Sequence, residues 1–376
     1  MRGDAPVREE SFRSREITGA RGAVHAGSGG GAVGRAVAPS LWHDALTMPL
    51  HVLESVRSSN TVWRLPPRYV DALREKFPGV RFSNPDDLAG AGQLLPDADI
   101  VLGWAVNAQN FASARKLRWV HVTAAGVGPL MFKELIESDV TLTNSRGLHA
   151  EAMAEHTLGV MLSFVRQLHR CRDAQRERRW AEVELWTVPP HFGTLTGSTM
   201  VLVGLGAVGG AISLRARALG VHVIGVRRNP DASDTRADEQ FGSDALPRLL
   251  PRADWLVLAA PLTSGTRQLI GTRELSLLKP SAVIVNVGRG RLLDEAALVA
   301  ALTEGRLAGA ALDVMEVEPL PQSSPLWDMP NVLLTPHISG LAPDYWGRAL
   351  AIFEDNLRRT IDGRPLINVV DKRAGY

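Results

Sequence analysis

The chain has 376 residues, 45% of them apolar, with 42 basic against 40 acidic side chains and a single cysteine, Cys171. That length suits two domains with real cores, and a formal charge of +2 leaves no basic field for nucleic acid. One cysteine forbids an intramolecular disulfide or thiolate cluster and fits a reducing cytosol; with no apolar run near the ~20 residues of a membrane helix and no leader-like stretch, a cytoplasmic protein without membrane or nucleic-acid partners is expected.

Residues 1–47 are rich in Gly, Arg, Ser and Ala, carry G-S-G-G-G-A-V-G at 27–34 and show no periodicity, so they read as a disordered tail. Met48 directly precedes the first strand-like run, 50–56, and is one candidate for the natural start. Further strands are expected at 80–83, 100–104, 117–122 and 140–143. A helix follows Pro66 and Pro67, with Tyr69, Val70, Leu73 and Phe77 at helical spacing. Such alternation signals an α/β layer.

Residues 150–170 then read as one long helix, with Ala152, Leu158, Met161, Leu162, Val165 and Leu168 on an apolar stripe that could bridge two domains. Its continuation carries Arg166, Arg170, Arg172, Arg176, Arg178 and Arg179, broken by Asp173 and Glu177. This is expected to be a solvated face, with contact to a second subunit as the alternative. A second alternation begins at Met200, with strand-like runs 200–203, 221–226, 255–259, 282–287, 307–312 and 332–334. Six such runs suit a doubly wound parallel sheet. A last helix, 345–361, and a closing run, 366–370, are expected to return to the first unit. The expected architecture is α/β with two Rossmann-like or flavodoxin-like domains: a tail at 1–47, a discontinuous substrate domain at 48–147 and 341–376, and a nucleotide-binding domain at 148–340.

The motif G-L-G-A-V-G, Gly204 to Gly209, lies between an apolar strand and a helix-compatible stretch, followed by a second strand. That context turns a weak motif into an expected dinucleotide site. Gly204 permits the sharp turn, Gly206 lets backbone approach a pyrophosphate, Gly209 lets helix and strand pack, and the amides near Ala207 and Val208 face the anion. After the second strand the chain reads G-V-R-R-N-P, so Arg227 stands where an acidic residue would bind a ribose 2′-hydroxyl. Arg227 and Arg228 can pair with a 2′-phosphate instead. The expected cofactor is NADP(H), with NAD(H) possible; two surface arginines without selectivity are the alternative.

Three more residues follow strand ends that should face the binding crevice. Arg289, in N-V-G-R-G, can clamp a substrate carboxylate and polarise the adjacent carbonyl, with flanking glycines that let backbone approach a ligand. His337, in T-P-H-I-S-G, gains weight from Glu318, because a carboxylate beside imidazolium favours the charged form. His337 would then donate a proton as hydride reaches a carbonyl and accept one in the reverse direction. No G-x-S-x-G elbow, H-E-x-x-H helix or cysteine nucleophile context suggests a hydrolase. His149, Glu151, Glu155 and His156 fit helix-start polar contacts at least as well as metal ligands, so no metal is expected.

Over residues 50–370 the chain resembles the D-isomer-specific 2-hydroxyacid dehydrogenases. G-L-G-A-V-G, A-P-L-T-S-G-T-R, N-V-G-R-G, A-L-D-V-M-E-V-E-P-L and L-T-P-H-I-S-G occur in that family's order. The resemblance implies Arg289 as substrate clamp, Glu318 and His337 as the acid/base pair, and Asp313 at the nicotinamide end. It also implies Pro261, Thr266 and Val287 as cofactor contacts, the loop Ala125, Gly126, Val127 as amide donors to the substrate carboxylate, and a homodimer. Trp104 and Trp346 would wall the pocket by the same analogy. Arg227 departs from the common acidic residue and points to the glyoxylate and hydroxypyruvate reductase branches. Gly128-Pro129 stands where many relatives carry an acidic residue. Formate dehydrogenases share the architecture but have glutamine where this chain has Glu318. Corepressors that resemble the fold can retain the same triple, so a nucleotide-sensing binding protein with little turnover is the competing expectation.

Overall fold

A computed structural model describes residues 49–57, 63–187, 189, 192–231 and 233–375. The expected tail, 1–47, and Met48 lie outside the described residues.

The first sheet holds β1 (His51–Ser55), β2 (Arg81–Ser83), β3 (Ile100–Gly103), β4 (Trp119–Val122) and β5 (Thr141–Asn144). All pairings are parallel, in the order β2-β1-β3-β4-β5, the flavodoxin-like order expected of a doubly wound sheet. Helices α1 (Pro67–Lys76), α2 (Leu88–Leu94) and α3 (Lys133–Glu137) alternate with these strands. Proline pre-sets the start of α1, and Val70 and Leu73 are its buried face. The central strands β1, β3 and β4 are buried along their whole length, as a sheet covered by helices on both faces requires.

Next come α4 (Ala150–Val165), α5 (Leu168–Arg176) and α6 (Glu182–Thr187). The single helix expected over 150–170 is broken at Gln167, which adopts φ +53°. Both its backbone N–H, at 3.1 Å, and its side-chain amide, at 3.0 Å, donate to the Phe164 carbonyl, closing α4 at Val165. Leu168, expected on the buried stripe, is therefore exposed. Of the arginines that follow, Arg179 pairs with Glu177 at 2.6 Å and with Glu184, both at the surface.

The second sheet holds β6 (Thr199–Val203), β7 (His222–Val226), β8 (Glu239–Phe241), β9 (Trp255–Leu258), β10 (Val283–Asn286), β11 (Gly309–Leu312) and β12 (Val332–Leu334). Its order is β12-β11-β10-β9-β6-β7-β8, all parallel. Between the strands lie α7 (Ala207–Ala218), α8 (Leu246–Leu249), α9 (Thr272–Ser276) and α10 (Glu295–Thr303). The sheet has seven strands rather than the expected six. The additional β8 is a three-residue edge strand, Glu-Gln-Phe, with no apolar run to announce it. Helix α4 covers one face of this sheet, where Ala154, Leu158 and Met161 pack with Ile212 and Ala216 of α7.

The last helix, α11 (Tyr345–Ile361), returns to the first sheet. Leu350, Phe353 and Leu357 join Val52, Ile100, Leu102 and Trp119 in one core, with Phe353 stacked 5.3 Å from Trp119. Residue 369 bridges Thr143 antiparallel, and Val370 N–H donates to the Leu142 carbonyl at 2.8 Å. Lys372 fixes the end of the chain, its ammonium donating to the carbonyls of Leu135, Ser138 and Val140 at 2.6–2.9 Å. A cation suits the carbonyl-rich C-terminus of α3. Lys372→Met is expected to lower unfolding stability by about 1–3 kcal/mol, since three carbonyls lose a charged donor; an unchanged urea midpoint would refute the clamp. Among the described residues, no helix is long and apolar enough to cross a membrane.

Candidate active site

The glycine turn joins β6 to α7. Gly204 has φ +100°, and a Cβ there would lie 2.7 Å from the Ala260 nitrogen, so both backbone shape and the packed β9 loop demand glycine. At Gly209 a Cβ would sit 1.9 Å from the Gly204 carbonyl oxygen, whereas at Gly206 it would meet nothing within 4 Å. The turn therefore packs on one side and faces open space on the other. No side chain caps α7, leaving the first-turn amides of Ala207 and Val208 for an anion at the positive end of the helix. This cradle fits a dinucleotide pyrophosphate. Beside it, the Thr266 hydroxyl donates to the Pro261 carbonyl at 2.7 Å and accepts from Thr263 N–H, closing the loop after β9. Val287 is buried at the end of β10, its N–H on the Leu258 carbonyl.

At the end of β7, Arg227 donates to Asp234 at 2.6 Å. Arg236, which the sequence reading missed, donates to the same carboxylate and also reaches the Gly206 carbonyl at 3.3 Å. Hydrogen bonding from Arg236, opposed by partial burial and reinforced by Arg227, holds the Asp234 carboxyl down at about 2. Two guanidiniums thus share one carboxylate beside the glycine turn.

Arg289 follows β10. Its neighbouring glycines are required by packing: a Cβ at Gly290 would lie 1.8 Å from the Met315 carbonyl oxygen, and one at Gly288 2.9 Å from that of Ala260. The Gly290 contact brings the Glu318 loop against Arg289. The Arg289 guanidinium donates to the Gly288 carbonyl at 2.6 Å and lies so near the loop after β4 that a Cβ at Gly126 would be 2.5 Å from its Nη2. Burial pulls its pKa below the usual arginine value, with the Glu318 charge opposing. It remains a cation at any working pH.

The loop Ala125, Gly126, Val127 is anchored around that contact. Asn144 donates to the Ala125 carbonyl at 2.7 Å, Ser145 N–H to that of Ala124 at 3.0 Å, and Val127 is buried. The Tyr345 hydroxyl donates to the Thr123 carbonyl at 2.7 Å. Gly128 and Pro129 open a short 3-10 turn, Gly128–Leu130.

His337 lies after β12 with φ +54°, a left-handed conformation that a histidine adopts at some expense. It is fixed by its own N–H on the Asp313 carbonyl at 2.8 Å, while the Asp313 carboxylate accepts from Thr335 hydroxyl, Ile338 N–H and Ser339 N–H at 2.7–3.0 Å. Asp313 is only 2% exposed, and the structure places its carboxylate on the His337 loop. Hydrogen bonds from that loop outweigh burial and hold its pKa below the usual value. The His337 imidazole Nδ1 lies 2.7 Å from Glu318, whose other oxygen accepts from Met315 N–H. Both side chains are open, His337 at 51% and Glu318 at 37%, so a ligand can reach the ring.

The four polar residues that the sequence placed around the start of α4 go to separate partners. His149 bonds the Gly340 carbonyl at 2.9 Å and stacks on Tyr345. Burial depresses its pKa, despite the Gly340 bond, and the charges of Arg289, Arg348 and His337 depress it further. His156 approaches Thr335 at 3.2 Å, supporting the Asp313 hub. Glu151 and Glu155 diverge towards Arg348 and Arg215, 3.9 Å away in each case. Among the described residues no group of His, Cys, Asp and Glu could hold a metal. Trp63 joins Trp346 beside Tyr345, whereas Trp104 packs on the core of the first sheet.

Residues 158–339 match the D-isomer specific 2-hydroxyacid dehydrogenase, NAD binding domain family. A glyoxylate reductase of Korarchaeum cryptofilum is 31% identical over 67% of this chain and 75% of its own length. A D-isomer specific 2-hydroxyacid dehydrogenase from Xanthobacter autotrophicus, solved with NADPH and MES, is 32% identical, with 88% of this chain and all of that one covered at a TM-score of 0.72. An NADPH-dependent glyoxylate/hydroxypyruvate reductase from Sinorhizobium meliloti, solved with NADP and sulfate, is 28% identical, covering 87% of this chain and 100% of that one at 0.73. The chain belongs to the D-isomer-specific 2-hydroxyacid dehydrogenase family, the NAD(P)-dependent enzymes that interconvert 2-hydroxyacids and 2-ketoacids.

Proposed function

We propose that the protein reduces small 2-ketoacids such as glyoxylate or hydroxypyruvate with NADPH, using His337 as general acid/base. The observation that carries this is the approach of Arg289 to Gly126, together with the His337–Glu318 bond. A carboxylate-binding cation and a proton donor stand on the crevice that adjoins a dinucleotide cradle. The nicotinamide supplies the hydride.

Arg289 and the amides around Gly126 hold the substrate carboxylate and draw electron density from the adjoining carbonyl. Glu318 occupies the Nδ1 side of His337, which assigns the proton there and leaves Nε2 to deliver one to the carbonyl oxygen, or to take one from the hydroxyl in reverse. The Asp313 network keeps the imidazole in place without touching the substrate. Domain boundaries at 48–147 with 341–376 and at 148–340 would put this chemistry between the two sheets.

For the cofactor, the two guanidiniums that share Asp234 are the supporting feature. A 2′-phosphate, doubly charged near neutrality, would draw Arg227 and Arg236 at once, whereas a 2′-hydroxyl gives them little. Arg236→Ala is expected to cut kcat/KM for NADPH about tenfold while leaving that for NADH within about twofold. Equal losses for both cofactors would remove Arg236 from discrimination. The direct test of the activity is oxidation of NADPH, with NADH in parallel, in the presence of glyoxylate and hydroxypyruvate. Tight NADPH binding with no turnover of any 2-ketoacid would instead favour a nucleotide-sensing role. A homodimer and a cytoplasmic location belong to the same proposal.

A further inference from the structure

We propose that the cleft beside the catalytic groups receives the substrate's side chain, and that 2-ketoacids with branched or aromatic apolar side chains are better substrates than glyoxylate. This rests on the 2-ketoacid reductase activity proposed above.

The cleft has a volume of about 400 Å³ and is lined by Trp63, Leu341, Ala342, Pro343, Tyr345 and Trp346. None of these side chains is charged. Their polar groups are the Tyr345 hydroxyl, already committed to the Thr123 carbonyl, and two indole N–H groups. Trp63 and Trp346 both stand edge-on to Tyr345, at 5.4 and 4.9 Å between ring centroids, so the three rings hold one another as an apolar wall.

Its position follows from Tyr345. That ring stacks 5.7 Å from His149, which bonds the carbonyl of Gly340, three residues after His337, at 2.9 Å. Its hydroxyl holds Thr123, two residues before Ala125 and three before Gly126. Leu341 and Ala342 follow His337 by four and five residues on the same segment. A carboxylate held by Arg289 and a carbonyl facing His337 fix two of the three substituents around the reacting carbon. The third, the side chain, is left to adjoin the cleft.

Glyoxylate has hydrogen in that place and leaves the apolar walls in water. Hydroxypyruvate brings a hydroxyl to a surface that offers it few partners, at the expense of hydration. A branched or aromatic side chain removes apolar area of its own and of Trp63 and Leu341, both exposed to solvent. It would also shield His337, half open in the free protein.

The test is kcat/KM for glyoxylate, hydroxypyruvate, 4-methyl-2-oxopentanoate and phenylpyruvate, each with NADPH and with NADH. The last two are expected to exceed glyoxylate by about tenfold or more, the scale of a few buried methylenes. Trp346→Ala and the surface change Leu341→Asp should each reduce the apolar-to-glyoxylate ratio about tenfold. Glyoxylate equal to or better than the apolar acids, or a ratio untouched by both substitutions, overturns the cleft assignment while leaving the reductase intact. Absence of turnover with all four acids and both cofactors overturns the reductase and the cleft together.

Discussion

His337→Gln is expected to lower kcat/KM for 2-ketoacid reduction by about 10²–10⁴, the usual worth of a positioned proton donor. Glutamine keeps a donor amide near the ring position but cannot release a proton. NADPH affinity, measured by fluorescence titration, should stay within about twofold, because the glycine turn and the Arg227–Asp234–Arg236 cluster belong to β6–β8 and the segments joining them. The altered residue must also hold φ +54°, which asparagine and glycine tolerate better than glutamine. Thermal unfolding of the variant within a few degrees of the wild type is therefore part of the test. Glu318→Gln should lose less, about 10–100-fold, since it removes the partner of Nδ1 and leaves the proton carrier. Turnover of His337→Gln within fivefold of wild type would end the acid/base assignment.

Most of the parallel strands were legible because they carry a short apolar run; Ile100–Gly103 and Val283–Asn286 each begin with three apolar residues. Strand β8 was not, since its Glu-Gln-Phe is held by pairing with β7 and carries no hydrophobic pattern. The break at Gln167 was also hidden. Its left-handed turn is made by a side chain returning to the Phe164 carbonyl, and no glycine or proline marks it. In the candidate site, Gly204, Arg289, Glu318 and His337 each lie in a loop at a strand end, as motif order had placed them. Arg236, His149, Tyr345 and Trp63 come from other segments, and their relevance arises from tertiary packing. The D-x-R spacing of Asp234 and Arg236 is common among surface residues, so it could not have singled out Arg236. Asp313 was found as a motif residue, yet its three hydrogen bonds to the His337 loop could not be read from spacing.

The second large effect is expected at Arg289. Arg289→Lys should lower kcat/KM for every 2-ketoacid by about 10²–10³, comparable to removal of one oxyanion donor, and should do so mainly through KM if the clamp holds the ground state as well as the transition state. Lysine preserves the charge, but it lacks the planar fork that can reach a carboxylate and a carbonyl together. It would also leave the Gly288 carbonyl and the space beside Gly126 without the guanidinium that fills them. Gly126→Ala approaches the same contact from the other side. A methyl 2.5 Å from Nη2 must displace either the guanidinium or the loop, so kcat/KM should fall at least tenfold although no charge or donor is deleted. The pair separates the two roles of this contact: if Gly126→Ala is silent while Arg289→Lys is crippled, the cation binds substrate without help from the loop. If Arg289→Lys turns over glyoxylate and phenylpyruvate within fivefold of wild type, the carboxylate is held elsewhere, and the juxtaposition of Arg289 with Gly126 serves packing alone.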